Sequence, residues 1–410
     1  MWTLNPGISW GRTGGRNTSG FQLEELNLLG RGSQITLKQK SEVDRDIRQI
    51  IFRNRQLGGS WWRMDAALAD NSDGHRYELA LQQPFYAMQT RRALGAGYLD
   101  EERIDSRYDL GEIIGQYRTR QQAFNLFGGY SPGLQHGSVW RFTAGFTRDA
   151  RHFDALAGPL PAAGVPPDRA LAGPWMGVDW LQDRYRTTRN RDQIERTEDY
   201  ALGWQGSMKL GLADTAFGAD RSALLFSAGL HRGVRHGERH TWQFASSIDG
   251  RYERGALAGT VLDISLRYHF RQSRRALFYA QIEATASRAL DADQQLLLGG
   301  DNGLRGYPLR YQGGTDRWLL TLEQRVYTDW YPFRLFNVGA AAFIDMGATH
   351  GIRDFGTPPL GTLKDAGVGL RLGNSRSALG NMVHVDLAYP FDGLRKDRGL
   401  QILVETRRSF

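Results

Sequence analysis

The 410-residue sequence has no cysteine, which removes disulfides, thiolate metal sites and thiol nucleophiles together. That absence does not fix a compartment, because a secreted β-protein whose strands close on themselves does without cross-links. Proline is scarce at 13 residues, while glycine reaches 50, about 12% against a usual ~7%. Neither a collagen-like period nor a disordered composition fits those values. No apolar run approaches the ~18 residues of a membrane-spanning helix, so a helical bundle in a bilayer is excluded. Lysine is nearly missing: only Lys38, Lys40, Lys209, Lys364 and Lys396 are found among 52 basic residues, so arginine carries the net charge of +8. Such an excess suits nucleic acid, phosphate-bearing lipid or ion pairs with the 44 acidic residues. Residues 1–7 show neither a charged n-region nor an apolar h-region, so no signal peptide is expected there and the native chain is expected to extend upstream.

What is present is aromatic and alternating. Aromatics make up 11%, with 11 Trp and 16 Tyr, too many for a disordered chain. Leu262, Ile264, Leu266, Tyr268 and Phe270 alternate with Asp263, Ser265, Arg267 and His269. Trp318, Leu320 and Leu322 alternate with Leu319, Thr321 and Glu323; Val383, Val385, Leu387 and Tyr389 with His384, Asp386 and Ala388. A soluble β-sandwich alternates in the same way, but over ~5–6 residues. Many segments here run 10 to 14 residues, enough to cross a bilayer at a tilt. The off-face residues are charged, as in a wet lumen, and segments end in aromatics such as Trp330, Tyr331, Tyr389 and Phe410. The chain therefore reads as all-β, a single transmembrane antiparallel β-barrel over 1–410.

About 20 candidate strands emerge. The clear ones are 2–12, 18–28, 32–42, 45–55, 58–70, 74–84 and 91–102, with nine more from about 220 to the end. The stretch 103–215 stays ambiguous. It holds a loop from Gly158 to Pro174, with Pro166 and Pro167, too proline-rich for paired strand.

Residues 296–307 read Leu-Leu-Leu-Gly-Gly-Asp-Asn-Gly-Leu-Arg-Gly-Tyr, ending in Arg305-Gly306-Tyr307 after Gly299-Gly300. This resembles the GG…(V/L)RG(F/Y) signature of the BamA/TamA family of outer-membrane barrels. Asn27 to Gly32 looks like that family's first periplasmic turn, Phe343-Ile344-Asp345-Met346-Gly347 like its F-x-D-x-G strand motif, and Val385 to Phe410 like its final hairpin. The resemblance implies a 16-stranded barrel, against 18–20 from the segments, with the Arg-Gly-Tyr loop folded into the lumen. It also implies periplasmic domains before the barrel, and none is expected within residues 1–410. Arg305 offers five donors and cannot lose its proton. Alternation puts Glu323 and Asp345 on the charged face, so both can meet such a loop and anchor it. A solvated Arg in a surface loop is the plain alternative.

A closed barrel pairs its first strand with its last. The first carries Pro6, which lacks a ladder donor, and Gly7, which weakens strand order; the last runs through Glu405 to Phe410. A seam of that kind is expected to be short of hydrogen bonds and able to open, templating an incoming strand. Equally, Pro6 and Gly7 fit a turn entering an ordinary closed barrel. Phe410 resembles the C-terminal signal by which outer-membrane barrels are inserted, and also suits a last lipid-facing anchor.

Other constellations are set aside. Gly129-Tyr130-Ser131-Pro132-Gly133 matches a nucleophile elbow, but Pro132 and a strand follow the serine, so a turn is expected. His236 and His240 lie between strands, where a four-residue spacing does not put them on one helical face. Asp70-Asn71-Ser72-Asp73-Gly74 lacks the distal Glu of a calcium loop and reads as a hairpin turn. Arginine alternating with apolar residues, with no compact basic domain, argues against nucleic acid. The expectation is a bacterial outer-membrane insertase or translocase: no enzyme, no bound cofactor, no metal. Its expected partners are outer-membrane lipids including lipopolysaccharide, client β-barrel or secreted polypeptides, and accessory periplasmic or lipoprotein subunits. A polypeptide-exporting pore and a passive diffusion porin are the alternatives.

Overall fold

A computed structural model describes residues 3–157, 164–351, 360–374 and 381–408. Among these residues there are 24 strands and no α-helix. In chain order they are β1 Leu4–Thr13, β2 Arg16–Leu28, β3 Ser33–Ser41, β4 Asp46–Asn54, β5 Arg63–Asn71, β6 Gly74–Gln83, β7 Arg92–Asp109 and β8 Glu112–Gln135. Next come β9 Ser138–Ala155, β10 Arg169–Gln182, β11 Tyr185–Arg189, β12 Thr197–Ala201, β13 Trp204–Ala213, β14 Ala223–His236, β15 His240–Glu253 and β16 Ala256–Arg271. The last are β17 Ala276–Arg288, β18 Leu296–Leu298, β19 Gln312–Gly314, β20 Asp316–Tyr327, β21 Phe336–His350, β22 Leu363–Asn374, β23 Asn381–Pro390 and β24 Gln401–Arg408. Twenty of them form one antiparallel sheet in which each strand pairs with the next in the chain, and β1 meets β24 to close it. The hairpins β11–β12 and β18–β19 stand off the wall.

The barrel therefore has 20 strands, not the 16 that the family resemblance implied. The ambiguous stretch supplies the four extra walls, β8, β9, β10 and β13. Their alternation is hidden because β7 to β9 run well past an apolar belt. On the outer face there, Glu102 accepts hydrogen bonds from Arg118 and Arg120, so both faces of β8 are polar. Pro174, expected in a loop, lies inside β10. The ladder to β9 runs unbroken past it, while the ladder to β13 begins only at Trp175, so the missing donor costs no bond. Gly129–Gly133 is likewise not a turn but a bulge in β8. The register slips between Tyr130 and Gly133, and the Ser131 hydroxyl accepts from the Gly133 amide at 3.1 Å.

The usual polarity of a folded chain is inverted. Leu37, Ile50, Leu68 and Tyr77 face one another across β3–β6 on the outside, each about half exposed. Val368, Leu387 and Ile402 continue the belt across β22–β24. Inside, Arg251, Glu323, Arg325, Asp345, Asp365, Arg371 and Asp386 are buried. So large an apolar surface around a charged interior is what a bilayer requires of a strand-built protein. With an even number of antiparallel strands, the start of β1 and the end of β24 share one mouth. The β10–β13 connection opens at that mouth, and the β17–β20 connection at the opposite one.

Candidate functional site: a lumen filled from both mouths and a thin seam

The β17–β20 connection, residues 289–315, turns inward. β18 and β19 pair as a short hairpin, and the segment between them, 299–311, descends into the lumen. The glycines of the signature are there for close approach. A Cβ on Gly300 would sit 2.4 Å from the Tyr307 carbonyl oxygen and 2.9 Å from the Gly14 Cα. One on Gly306 would meet the Asp365 Cβ at 2.7 Å. Gly299 is as tightly held, 2.5 Å from the Arg310 amide nitrogen. The loop backbone thus packs against itself, the β1–β2 turn and the wall.

That packing delivers Arg305 to the acidic face of β20–β23. Its Nε donates to Asp345 Oδ2 at 2.6 Å and Nη2 to Asp345 Oδ1 at 3.0 Å, a bidentate fork. Nη1 donates to Glu323 Oε2 at 2.9 Å and Asp386 Oδ2 at 3.3 Å. The guanidinium carbon lies 3.3 Å from the Phe343 ring centre. Burial works against the charge, but Asp345, Glu323 and Asp386 outweigh it and hold the Arg305 pKa well above its ordinary range. Two further cations belong to the cluster. Glu323 also accepts from Arg371 at 3.1 Å and from Arg325 at 2.8 Å, and Arg371 donates to Asp386. Three guanidiniums thus face three carboxylates, all six side chains buried.

Around this centre the loop reaches much of the circumference. The Tyr307 hydroxyl donates to the Lys364 carbonyl at 2.9 Å and accepts from the Asp392 amide at 3.3 Å; burial pushes its pKa up to about 12. Tyr311 donates to Asp397 at 2.8 Å. Arg310 forks onto Asp44 with two contacts of 2.6 Å, and Asp293 meets Arg151 at 2.9 Å and Arg169 at 3.2 Å.

A second insertion enters from the other mouth. In the β10–β13 connection, Ile194 is buried against Leu277, Tyr327 and Met382. The Arg191 carbonyl accepts from Arg325 Nη1 at 3.0 Å and from the Tyr327 hydroxyl at 3.3 Å. Arg325 and Glu323 therefore connect the two inserted segments through the wall.

Arg305, Glu323, Asp345 and the glycines around them come together. Asp386, Arg371 and Arg325 complete the cluster and were not singled out from sequence, although each alternates onto the inward face of its strand. The β11–β12 insertion gave no sequence signal, since its docking depends on contacts distant in the chain.

The four seam residues fare differently. Pro6 and Gly7 lie within β1, not in a turn, opposite Leu23 and Gln22 of β2. Glu405 stands opposite His384 of β23. Phe410 falls outside the described residues. Among the described residues the register between β1 and β24 is a single pair, Arg12 with Val404, where other wall pairings run from seven to eighteen. The strands touch there: a Cβ on Gly11 would be 3.1 Å from the Val404 carbonyl oxygen. His240, weighed above as half of a metal pair, lies 2.7 Å from the Tyr268 hydroxyl through Nδ1, and among the described residues no His/Cys/Asp/Glu group could hold a metal.

No protein-family model and no curated protein matches the sequence. Among solved structures the chain is similar to BamA from Haemophilus ducreyi lacking POTRA domains 1–3, with a TM-score of 0.48, 13% identity, and coverage of 99% of this chain and 69% of that one. It is similar to CdiB from Escherichia coli at TM-score 0.47 and 15% identity, covering 99% and 62%. OccK5 of Pseudomonas aeruginosa gives 0.42 and 11%, covering 99% and 97%. Likenesses this distant assign the chain to none of the three.

Proposed function

We propose that this barrel is an outer-membrane insertase or translocase that receives client polypeptide strands at the seam between β1 and β24. The observation that carries the reading is the single register pair there. Backbone groups that face hydrocarbon without a partner cost several kcal/mol each, so a strand edge at membrane depth is driven to acquire one. A client strand supplies that partner by β-augmentation, and its own hairpins then extend the sheet. Lipids of the outer membrane, lipopolysaccharide included, surround the belt in this reading, and accessory subunits would join at the mouths.

The two inserted segments bear on the alternatives. A passive porin needs an open lumen, and here both mouths carry an inward-folded segment tied to the wall by buried contacts. A polypeptide exporter would have to expel both. Seam opening requires neither.

The test uses a disulfide across the observed pair, Arg12→Cys with Val404→Cys, in a chain otherwise free of cysteine. Reconstituted in liposomes, the reduced protein should accelerate insertion of a test barrel and the oxidised protein should not. Acceleration in both states would remove the seam from the mechanism. Acceleration in neither, with polypeptide passing through the lumen, would favour the exporter.

A further inference from the structure

At the mouth shared by the start of β1 and the end of β24, a cavity of about 400 Å³ lies between the β11–β12 insertion and the inner ends of β14–β17. Five arginines line it: Arg191, Arg235, Arg239, Arg271 and Arg274. Its only acidic lining residue is Glu238, which is almost fully exposed and 4.0 Å from Arg235. The cavity faces the lumen, so the barrel wall separates it from lipid.

Two of the lining side chains are buried and short of partners. Arg191 is 6% exposed; it donates to Gln243, stacks 4.8 Å over the Tyr200 ring and has Nε 3.6 Å from Asp192, but Nη1 has no hydrogen bond. His269 is 4% exposed and neither ring nitrogen is hydrogen-bonded, the nearest acid being Asp192 at 3.8 Å. Asp192 is also 3.8 Å from Arg325, which donates to Glu323, and Glu198 accepts the amides of Arg191, Asp192 and Gln193, so the unanswered charge lies with the lining arginines, five against Glu238 alone. Positive charge is left over, and buried donors left unmade are costly. Arg239 and Arg274 are exposed at the rim, and their guanidiniums take no partner among the described residues.

We propose that this vestibule binds a phosphoryl group, with Arg191 and His269 at its floor and Arg239, Arg271 and Arg274 around its rim. Guanidiniums present planar donor forks that match phosphate oxygens, and a dianion answers the local excess of charge. Arg271 is already fixed, donating to the Thr188 hydroxyl at 2.9 Å and to the Arg189 carbonyl, so part of the rim is pre-set. The volume exceeds that of phosphate alone and fits a small phosphate ester. A soluble ester reaches the site from the mouth; a phospholipid headgroup would have to enter over the rim.

The full chain in neutral detergent would be titrated calorimetrically with inorganic phosphate at constant ionic strength, then with succinate as a carboxylate of equal charge. Saturable phosphate binding is expected, at least tenfold tighter than succinate. It should weaken at least tenfold in the Arg239→Gln/Arg274→Gln double variant and stay unchanged in Arg120→Gln on the outer face. Repeating the titration in phosphatidylglycerol and phosphatidylcholine discs separates the sources: loss of binding only in phosphatidylglycerol identifies the headgroup as occupant, and equal binding identifies a soluble phosphate. No saturable binding, equal affinity for succinate, or an unaffected double variant would overturn the assignment.

Discussion

Two regions of one wall differ more than any others. Across β20–β23, Arg305 from the inserted loop and Arg325 and Arg371 from the wall share Glu323, Asp345 and Asp386 in near-complete burial. Beside it, β24 meets β1 through one register pair among the described residues. The loop stiffens the C-terminal wall up to β23 and leaves the last strand's outer edge untouched. The densest ion pairing of the wall thus lies beside the place where the sheet pairing is thinnest, and the loop reaches the seam only at the β1–β2 turn, where Gly300 packs against Gly14.

The largest effect should come from breaking the locked region. Arg305→Ala strands buried carboxylates, and removing one partner of a buried pair costs about 3–5 kcal/mol. Denaturant unfolding in detergent should show that loss, and Arg305→Lys should recover only part of it, because an ammonium cannot fork onto Asp345. Gly306→Ala comes next. Its Cβ has no room beside Asp365 and the Pro390 nitrogen, which places the cost at about 1–3 kcal/mol by the same measurement. An unchanged midpoint for either variant would mean that the loop does not brace the wall.

The second insertion is sharpened by pH. Burial, with Asp192 beside it, raises the Glu198 carboxyl to about 7, against backbone N–H donors from Arg191, Asp192 and Gln193. The docked segment therefore holds this proton more tightly than the undocked chain, where the ordinary value is 4.5. Docking stability is full below pH 4.5 and declines as pH rises to about 7, then levels off. Amide exchange at 191–193, corrected for intrinsic rate, should show that decline in the wild type and a flat profile in Glu198→Gln. The smallest effect belongs to the seam. Pro6→Ala restores an N–H on an exposed stretch of β1, with a change of about 0.5 kcal/mol or less. A large gain would reveal a partner across the seam that a single register pair does not provide.

Much of this was legible in residues. β16 announced itself through Leu262 to Phe270, and β3 to β6 through segments whose bounds shifted by a residue or two, apart from the start of β5 at Arg63. Such strands have one face in lipid and one in water, and that contrast writes a period of two. β8 wrote none where Arg118, Arg120 and Gln122 point outward beyond the apolar belt, so that stretch stayed ambiguous although the segments numbered about 20; the resemblance, at 16, was what fell short. At the site, a glycine-bracketed arginine and two alternating carboxylates were readable because each sits in a local pattern. Arg371 and Asp386 carry the same local pattern, but nothing in sequence says that four strands bring them to one loop. The β11–β12 insertion is harder still, since Ile194 gains its place from Leu277, Tyr327 and Met382, each far along the chain.

The contrast between locked wall and thin seam is tested most directly by residue-resolved hydrogen exchange of the intact barrel in lipid discs. Seam-facing amides of β1 and β24 should exchange orders of magnitude faster than those of β20 to β22 at equal depth. Uniform protection around the barrel would contradict it, because the seam would then be closed by bonds as numerous as those elsewhere in the wall.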